Sequence, residues 1–223
     1  MNKAVIFDFN GTLFWDSEIN FQSWYNFIKK NLKREYTREE YSTLNGRTTA
    51  ETLEVLYNKK FDKQTIDKLI NEKDEEYLKI LYNDKSSLSL APGAEELLYN
   101  LKKNKIKIAI ATSAHPSLMV EYEKIFKLSR FFERELIIAN DGTYKSKPNP
   151  AIYIEALKRL KVEPKNSIVF EDTKSGIISA FNAQVEKIIA VNSIGCNIEI
   201  VNNLVETTSY ITHFNQININ NLF

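Results

Sequence analysis

The chain has 223 residues, room for one domain plus an insertion at a prior of roughly 100–200 residues per domain. Hydrophobic residues make up 43% and charged ones 26%, the balance of a soluble globular protein, which excludes wholesale disorder. Lys and Arg number 30 against 29 Asp and Glu, a formal net charge of +1, so nothing advertises nucleic acid or an anionic membrane surface as a partner.

The first strand is predicted over residues 3–9, where Ala4, Val5, Ile6 and Phe7 form an apolar run suited to a strand buried on both faces. It breaks at Asn10-Gly11, a strong turn signal. From residue 16 to about 83 the pattern is helical. Phe21, Trp24, Tyr25, Phe27 and Ile28 repeat at helical spacing, and Thr37-Arg38-Glu39-Glu40 is a capping box that opens a second helix. Gly46-Arg47-Thr48-Thr49 is a polar break, after which 50–58 and 63–81 read as further helices. Pro92-Gly93 then punctuates the chain and the period changes. Helices are predicted at 94–104, 117–126, 149–160 and 175–183, and strands at 106–111, 136–139, 167–170 and 187–191, with an edge strand at 209–214.

Strands alternating with helices indicate βαβ units and an α/β fold with a Rossmann-like, doubly wound parallel sheet. The expected organisation is an α/β core domain from residues 1–14 plus 90–223, with an all-helical cap domain, 15–89, inserted after the first strand. Ligands of such sheets bind beyond the carboxyl ends of the strands. Those ends carry Asp8-Phe9-Asn10-Gly11-Thr12, Thr112-Ser113 and Glu171-Asp172, with Lys147 in a loop before Pro148. Converging carboxylates can scarcely all ionise without a cation, and oxygen ligands with retained water suit Mg²⁺. A metal, a lysine and backbone N–H groups around a carboxylate nucleophile suit phosphoryl transfer.

Scarcity also informs. Two histidines, His115 and His213, leave no HExxH or Cys/His zinc signature, and a Ser-His-Asp triad would have to use one of them. The single cysteine, Cys196, excludes an internal disulfide, and a reducing cytosol is the default. No apolar run approaches the ~18 residues of a membrane span. The opening MNKAVIFDFNG reaches Asp8 too soon for a signal peptide. A cytoplasmic protein, monomer or weak dimer, is expected.

The sequence resembles the haloacid dehalogenase (HAD) superfamily, and within it the phosphatases and β-phosphoglucomutases with a helical cap. The first motif, usually Asp-x-Asp-Gly-Thr, matches residues 8–12 except at its second Asp. Thr112 in AIATSA, Lys147 in KSKPNP and Glu171-Asp172 in VFEDTKSG match the other three, in order. Lys147 is preferred to Lys145 because the family's lysine directly precedes proline. The resemblance implies that Asp8 is the nucleophile and a Mg²⁺ ligand and that Asn10 lends its backbone carbonyl. It also implies that Asp172 binds the metal, with Glu171 behind it or joined through water. Thr112 and Lys147 would hold the transferring phosphoryl group, and N–H groups near Gly11 and Ser113 would form an anion nest. Each residue has a plainer reading: Asn10-Gly11 as a turn, Asp172 and Thr112 as helix caps, Lys147 as a solvated loop charge. Arg47 is either a substrate contact from the cap or a solvated loop residue.

Asn10 is the departure that matters most. The family's Asp at that place protonates the leaving alcohol and deprotonates the attacking water, which an amide cannot do. The expectation is a Mg²⁺-dependent phosphatase of a small phosphorylated metabolite, slow on alkyl phosphates. Asn10→Asp should then gain about 10²-fold or more, from the usual worth of acid–base assistance. A non-catalytic phospho-ligand binder, a mutase, and dehalogenase or phosphonatase chemistry are the alternatives. Asn20 stands about where the mutases carry a cap His, and no cap lysine stands out as a Schiff-base former; Lys29, Lys30 and Lys33 look solvated.

Overall fold

The computed structural model describes residues 3–83, 88–193 and 206–223; Cys196 and the start of the Asn- and Ile-rich tail lie outside them. Six strands form one parallel sheet: β1 (Ala4–Phe7), β2 (Lys107–Thr112), β3 (Ile137–Ala139), β4 (Ser167–Glu171), β5 (Lys187–Val191) and β6 (Ser209–Ile211), in the order β3-β2-β1-β4-β5-β6. β1 lies at the centre, with Phe7 in register with Ile110 and Phe170. Its side chains alternate between faces. Val5 and Phe7 enter one apolar layer with α5 (Ala94–Lys103) and α6 (Pro116–Phe126), while Ala4 and Ile6 enter the other with α7 (Ala151–Leu160) and α8 (Lys174–Asn182). Both faces are therefore covered, which is why the strands read as unbroken apolar runs.

Between β1 and α5 the chain makes four helices: α1 (Ser17–Leu32), α2 (Arg38–Leu44), α3 (Thr49–Tyr57) and α4 (Lys63–Asn83). They bury their own cluster, in which Trp24, Phe27 and Ile28 of α1 meet Leu53 of α3 and Ile70 of α4. Thr37 caps α2 by accepting from the Glu40 N–H, as the capping box predicts, and Thr48 caps α3 in the same way through Glu51. Tyr77 and Leu81 at the far end of α4 leave that cluster and pack with Phe9, Phe14 and Tyr122 of the sheet layer. The predicted first strand is shorter than read. It ends at Phe7, because the Asn10-Gly11 turn folds back and pairs Asn10 with Phe14 in an isolated bridge. The predicted edge strand likewise stops at Ile211, where a short 3-10 turn over Phe214–Gln216 follows. Among the described residues no helix is long and apolar enough to cross a membrane.

Candidate active site

The carboxyl ends of β1, β2 and β4 bring Asp8, Thr112 and Glu171-Asp172 together under the helical insertion. A cavity of about 90 Å³ lies there, lined among others by Asp8, Asn10, Asp16, Ser113, Arg47 and Lys147. That is small against the usual ~300–1,000 Å³ of ligand pockets, so the insertion sits closely over the sheet.

Lys147 is no solvated loop charge. It is 3% exposed, and its Nζ donates to Asp8 Oδ1 at 2.6 Å, Glu171 Oε1 at 2.5 Å and the Ala111 carbonyl at 3.3 Å. Lys145 is exposed. Burial pushes the Asp8 carboxyl up to about 7, against the pull of Lys147 and with a further push from Glu171. Burial would lower the Lys147 ammonium, but the facing carboxylates overcome it and hold it above its ordinary value.

Glu171 is fully committed. Oε1 accepts from Lys147 and from Tyr153 Oη at 3.0 Å, while Oε2 accepts from the N–H groups of Asp172 and Thr173 and the Thr173 hydroxyl. Five donors around two oxygens make it a brace for Lys147 and leave little room for a direct metal bond. Asp172 does not cap the following helix; Thr173 does, through the Gly176 N–H. The Asp172 carboxylate instead accepts from Thr12 Oγ1 at 3.0 Å, and burial together with the charges of Glu171 and Asp8 pushes its pKa well up. Thr112 Oγ1 accepts from the Ala114 N–H at 3.1 Å, and the N-cap of α6 is His115.

These donors suit a divalent cation. Among the described residues no cage of three or more His, Cys, Asp or Glu side chains is gathered. Mg²⁺ does not need one, since it is commonly held by one or two carboxylates and keeps several waters. Asp8 and Asp172 are two such carboxylates, both unfavourable as bare anions where they stand. Gly11 allows the approach: it has φ 82°, and a Cβ there would fall 2.0 Å from Asp172 Oδ2.

The expected anion nest is only partly met. The Gly11 N–H is spent on the Phe14 carbonyl at 2.7 Å and Asp16 Oδ1 at 3.1 Å, so it faces away from an incoming anion. The Ser113 hydroxyl donates to the Gly46 carbonyl at 2.9 Å and so clasps the insertion to the sheet. Arg47 is exposed at the cavity rim.

Two site residues escape sequence reasoning. Asp16 looks like a helix-start residue, yet it is buried on the cavity and accepts from Asn10 Nδ2 at 2.7 Å and Tyr77 Oη at 2.6 Å, besides Gly11. Asn10 Nδ2 also donates to Tyr122 Oη at 2.7 Å. Lys73, the other, lies on α4 among what read as an ordinary charged face. Local spacing reveals neither, because Tyr77 is 61 residues from Asp16 and Asn20 is 53 from Lys73 in sequence.

The fold and the strand-end constellation define a class of hydrolase, and comparison with known proteins agrees. The model of the haloacid dehalogenase-like hydrolases matches residues 5–191, and the chain belongs to that family, in the subfamily with a helical insertion after the first strand. It is 30% identical over 189 residues to a phosphorylated carbohydrates phosphatase of Thermotoga maritima, covering 85% of each chain. It is 27% identical over 180 residues to a β-phosphoglucomutase of Bacillus subtilis, covering 78% of this chain and 77% of that one. A HAD hydrolase of family IA, variant 3, from Entamoeba histolytica superposes with a TM-score of 0.86 at 34% identity, covering 98% of this chain and 96% of that one.

Proposed function

We propose that this hydrolase is a Mg²⁺-dependent phosphatase of a small phosphorylated metabolite, working through an aspartyl phosphate on Asp8. The observation that carries the reading is the buried Asp8–Lys147–Glu171 chain at the cavity floor, beside a second buried carboxylate, Asp172. The names of the relatives from T. maritima and B. subtilis, both acting on phosphorylated sugars, support the substrate class.

Asp8 Oδ2, the oxygen that Lys147 does not hold, attacks phosphorus in line. The bond from phosphorus to the ester oxygen breaks, and the leaving group departs with its electron pair. Water then attacks phosphorus, the bond to Asp8 breaks, and inorganic phosphate leaves. Lys147 keeps Asp8 oriented and offsets negative charge as it spreads over the phosphoryl oxygens. In this reading the Thr112 hydroxyl and the Ser113 N–H donate to those oxygens. Asp8, the Asn10 carbonyl and Asp172 would hold Mg²⁺, which when bound supplies further neutralisation of the phosphoryl charge. Asn10 offers no proton to a leaving alcohol, so acyl and aryl phosphates, which leave without one, are the faster substrates.

Residues 15–89 act in this reading as a lid, hinged near 14–16 and 88–92. Its own apolar cluster supports that, as do polar clasps to the core such as Ser113 to Gly46 and Ser175 Oγ to the Asn45 carbonyl at 3.2 Å. Such closure excludes water from the reacting phosphoryl group.

A panel of alkyl, aryl and acyl phosphates, with and without Mg²⁺, tests the reading. Hydrolysis should need the metal and vanish in Asp8→Asn, because the amide is no nucleophile. Turnover retained in that variant would move the chemistry elsewhere.

A further inference from the structure

The cavity has a second end, built from the helical insertion alone. Lys73 of α4 is 3% exposed, and its Nζ donates to Asn20 Oδ1 at 3.0 Å. The ammonium lies 5.0 Å from the ring centroid of Trp24 and 4.9 Å from that of Tyr77. Two carboxylates reach it electrostatically, Asp74 and Asp16, but neither forms an ion pair with it. Asp16 is turned to Asn10, Gly11 and Tyr77, and Asp74 Oδ2 to the Ser117 hydroxyl, while Asp74 Oδ1 is buried without a hydrogen-bond partner among the described residues.

The same wall carries further donors. Asn20 is used at both ends, since its Nδ2 donates to Tyr41 Oη at 3.2 Å, which leaves the Tyr41 hydroxyl proton without an acceptor among the described residues. Tyr36 Oη is buried and has no hydrogen-bond partner among them either. Lys73, Tyr36, Tyr41, Asn20 and Trp24 all line the cavity that holds Asp8.

An ammonium has three N–H donors, and Asn20 takes one. An ammonium without an ion pair and two phenolic hydroxyls whose protons have no acceptor among the described residues therefore line one small cavity, where the acceptors nearby, Asp74 and Asp16, are carboxylates of the chain itself. A sugar hydroxyl would bring its own proton to the same space. A group that only accepts, with several lone pairs and a negative charge, is the match.

We propose that this wall is an anion subsite and that the substrate carries a second oxyanion, a carboxylate or a second phosphate, at the end away from the transferred phosphoryl group. The inference rests on the phosphatase reading for what happens at the other end. Arg47 at the rim adds a positive charge on the path inward.

Three esters of similar length separate the outcomes: glycerol 3-phosphate with a neutral tail, 3-phosphoglycerate with a carboxylate, and propane-1,3-diol bisphosphate. In the wild type with Mg²⁺, kcat/KM for one of the charged tails should exceed that for glycerol 3-phosphate by about tenfold or more, the worth of a hydrogen bond to a charged group. Lys73→Met should collapse that preference, lowering kcat/KM for the charged-tailed ester by more than for the neutral-tailed one. Tyr36→Phe, which removes only a hydroxyl and covers the case of a Lys73 variant that does not fold, should reduce the preference through KM. Whichever charged ester gains names the anion. A thermal-shift comparison of 3-phosphonopropionate with propylphosphonate reads the subsite without turnover. If no ester is hydrolysed but the phosphonocarboxylate alone stabilises the protein, the phosphatase reading fails and the subsite stands. Equal handling of neutral and charged tails by the wild type, or a preference unchanged in both variants, overturns the proposal.

Discussion

Both amide protons of Asn10 are in use, one on Asp16 Oδ2 and one on Tyr122 Oη, each at 2.7 Å. An aspartate at residue 10 would lose both donors and set a second carboxylate against Asp16, which burial already holds above its ordinary pKa. The large gain that the motif alone leads one to expect from Asn10→Asp is therefore revised downward. The single variant should lose about 1–3 kcal/mol of stability, the cost of a buried polar group left unsatisfied. Its gain on alkyl phosphates should fall short of the about 10²–10⁴ that acid–base assistance is worth. The double variant Asn10→Asp, Asp16→Asn exchanges carboxylate and amide, so one again donates to the other. It should recover stability and surpass the single variant on alkyl esters. Urea denaturation and kcat/KM for the two variants and the wild type check this. An Asn10→Asp protein as stable as the wild type would show that the Asp16 contact does not matter.

At the scale of elements, α8 illustrates how a helix and a charge can be built for each other. Gly176 lies in its first turn, and a Cβ there would fall 1.8 Å from Glu171 Oε1 and 1.9 Å from the carboxyl carbon. Glu171 cannot step aside, because five donors hold it. Alanine normally favours a helix over glycine by about 1 kcal/mol. Here Gly176→Ala should instead destabilise, by about 1–3 kcal/mol as overpacked sites do, and should impair turnover by shifting the brace on Lys147. A thermal melt alongside a rate on an aryl phosphate measures both, and a more stable variant would refute the packing argument. Elements such as β1, β4 and α2 were legible in the sequence because their signals are local: an apolar run buried on both faces, or a threonine three residues before a glutamate. The strand-end motifs at Asp8, Thr112 and Glu171-Asp172 stand out for a related reason, since each sits at a period change. Asp16 and Lys73 were not legible, because what makes them special is burial beside residues from another part of the chain. Nothing in FWDSE or NEKDEE distinguishes them from a helix cap and a solvated face.

The molecule as a whole consists of an apolar layer on each side of the sheet and a third cluster inside the insertion, joined along α4. The cluster of α1, α3 and α4 involves Phe, Trp, Ile and Leu side chains, while the contacts across to the core at Ser113, Ser146 and Ser175 are hydroxyl-to-backbone bonds. The boundary thus combines these polar clasps with apolar packing of Tyr77 and Leu81 against Phe9, Phe14 and Tyr122. The helical insertion was readable in advance because helical periodicity gives way to strand–helix alternation at Pro92-Gly93. That the two parts share one site was readable only in outline. The Asp8 end of the cavity comes from strand ends, whereas the Lys73 end comes from side chains on helices that sequence periodicity assigns simply to inside or outside.

The bridge that Asp16 makes over the first loop bears on how the protein ages. Asn-Gly is the dipeptide in which the glycine nitrogen most readily attacks the asparagine side chain, expels ammonia and leaves a succinimide that opens to Asp or isoAsp, since glycine has no Cβ in the way. In this loop Asp16 holds both nitrogens concerned: the Gly11 N–H through Oδ1 and the Asn10 amide nitrogen through Oδ2. The attacking atom points to the Phe14 carbonyl as well, and the departing one is anchored a second time by Tyr122. Asn10 should therefore outlast an Asn-Gly pair in an unstructured peptide of the same sequence, and Asp16→Ala should shorten its lifetime. Peptide mass spectrometry of stored samples would follow the conversion. Comparable conversion in the folded protein and the free peptide would mean that the bridge offers no protection.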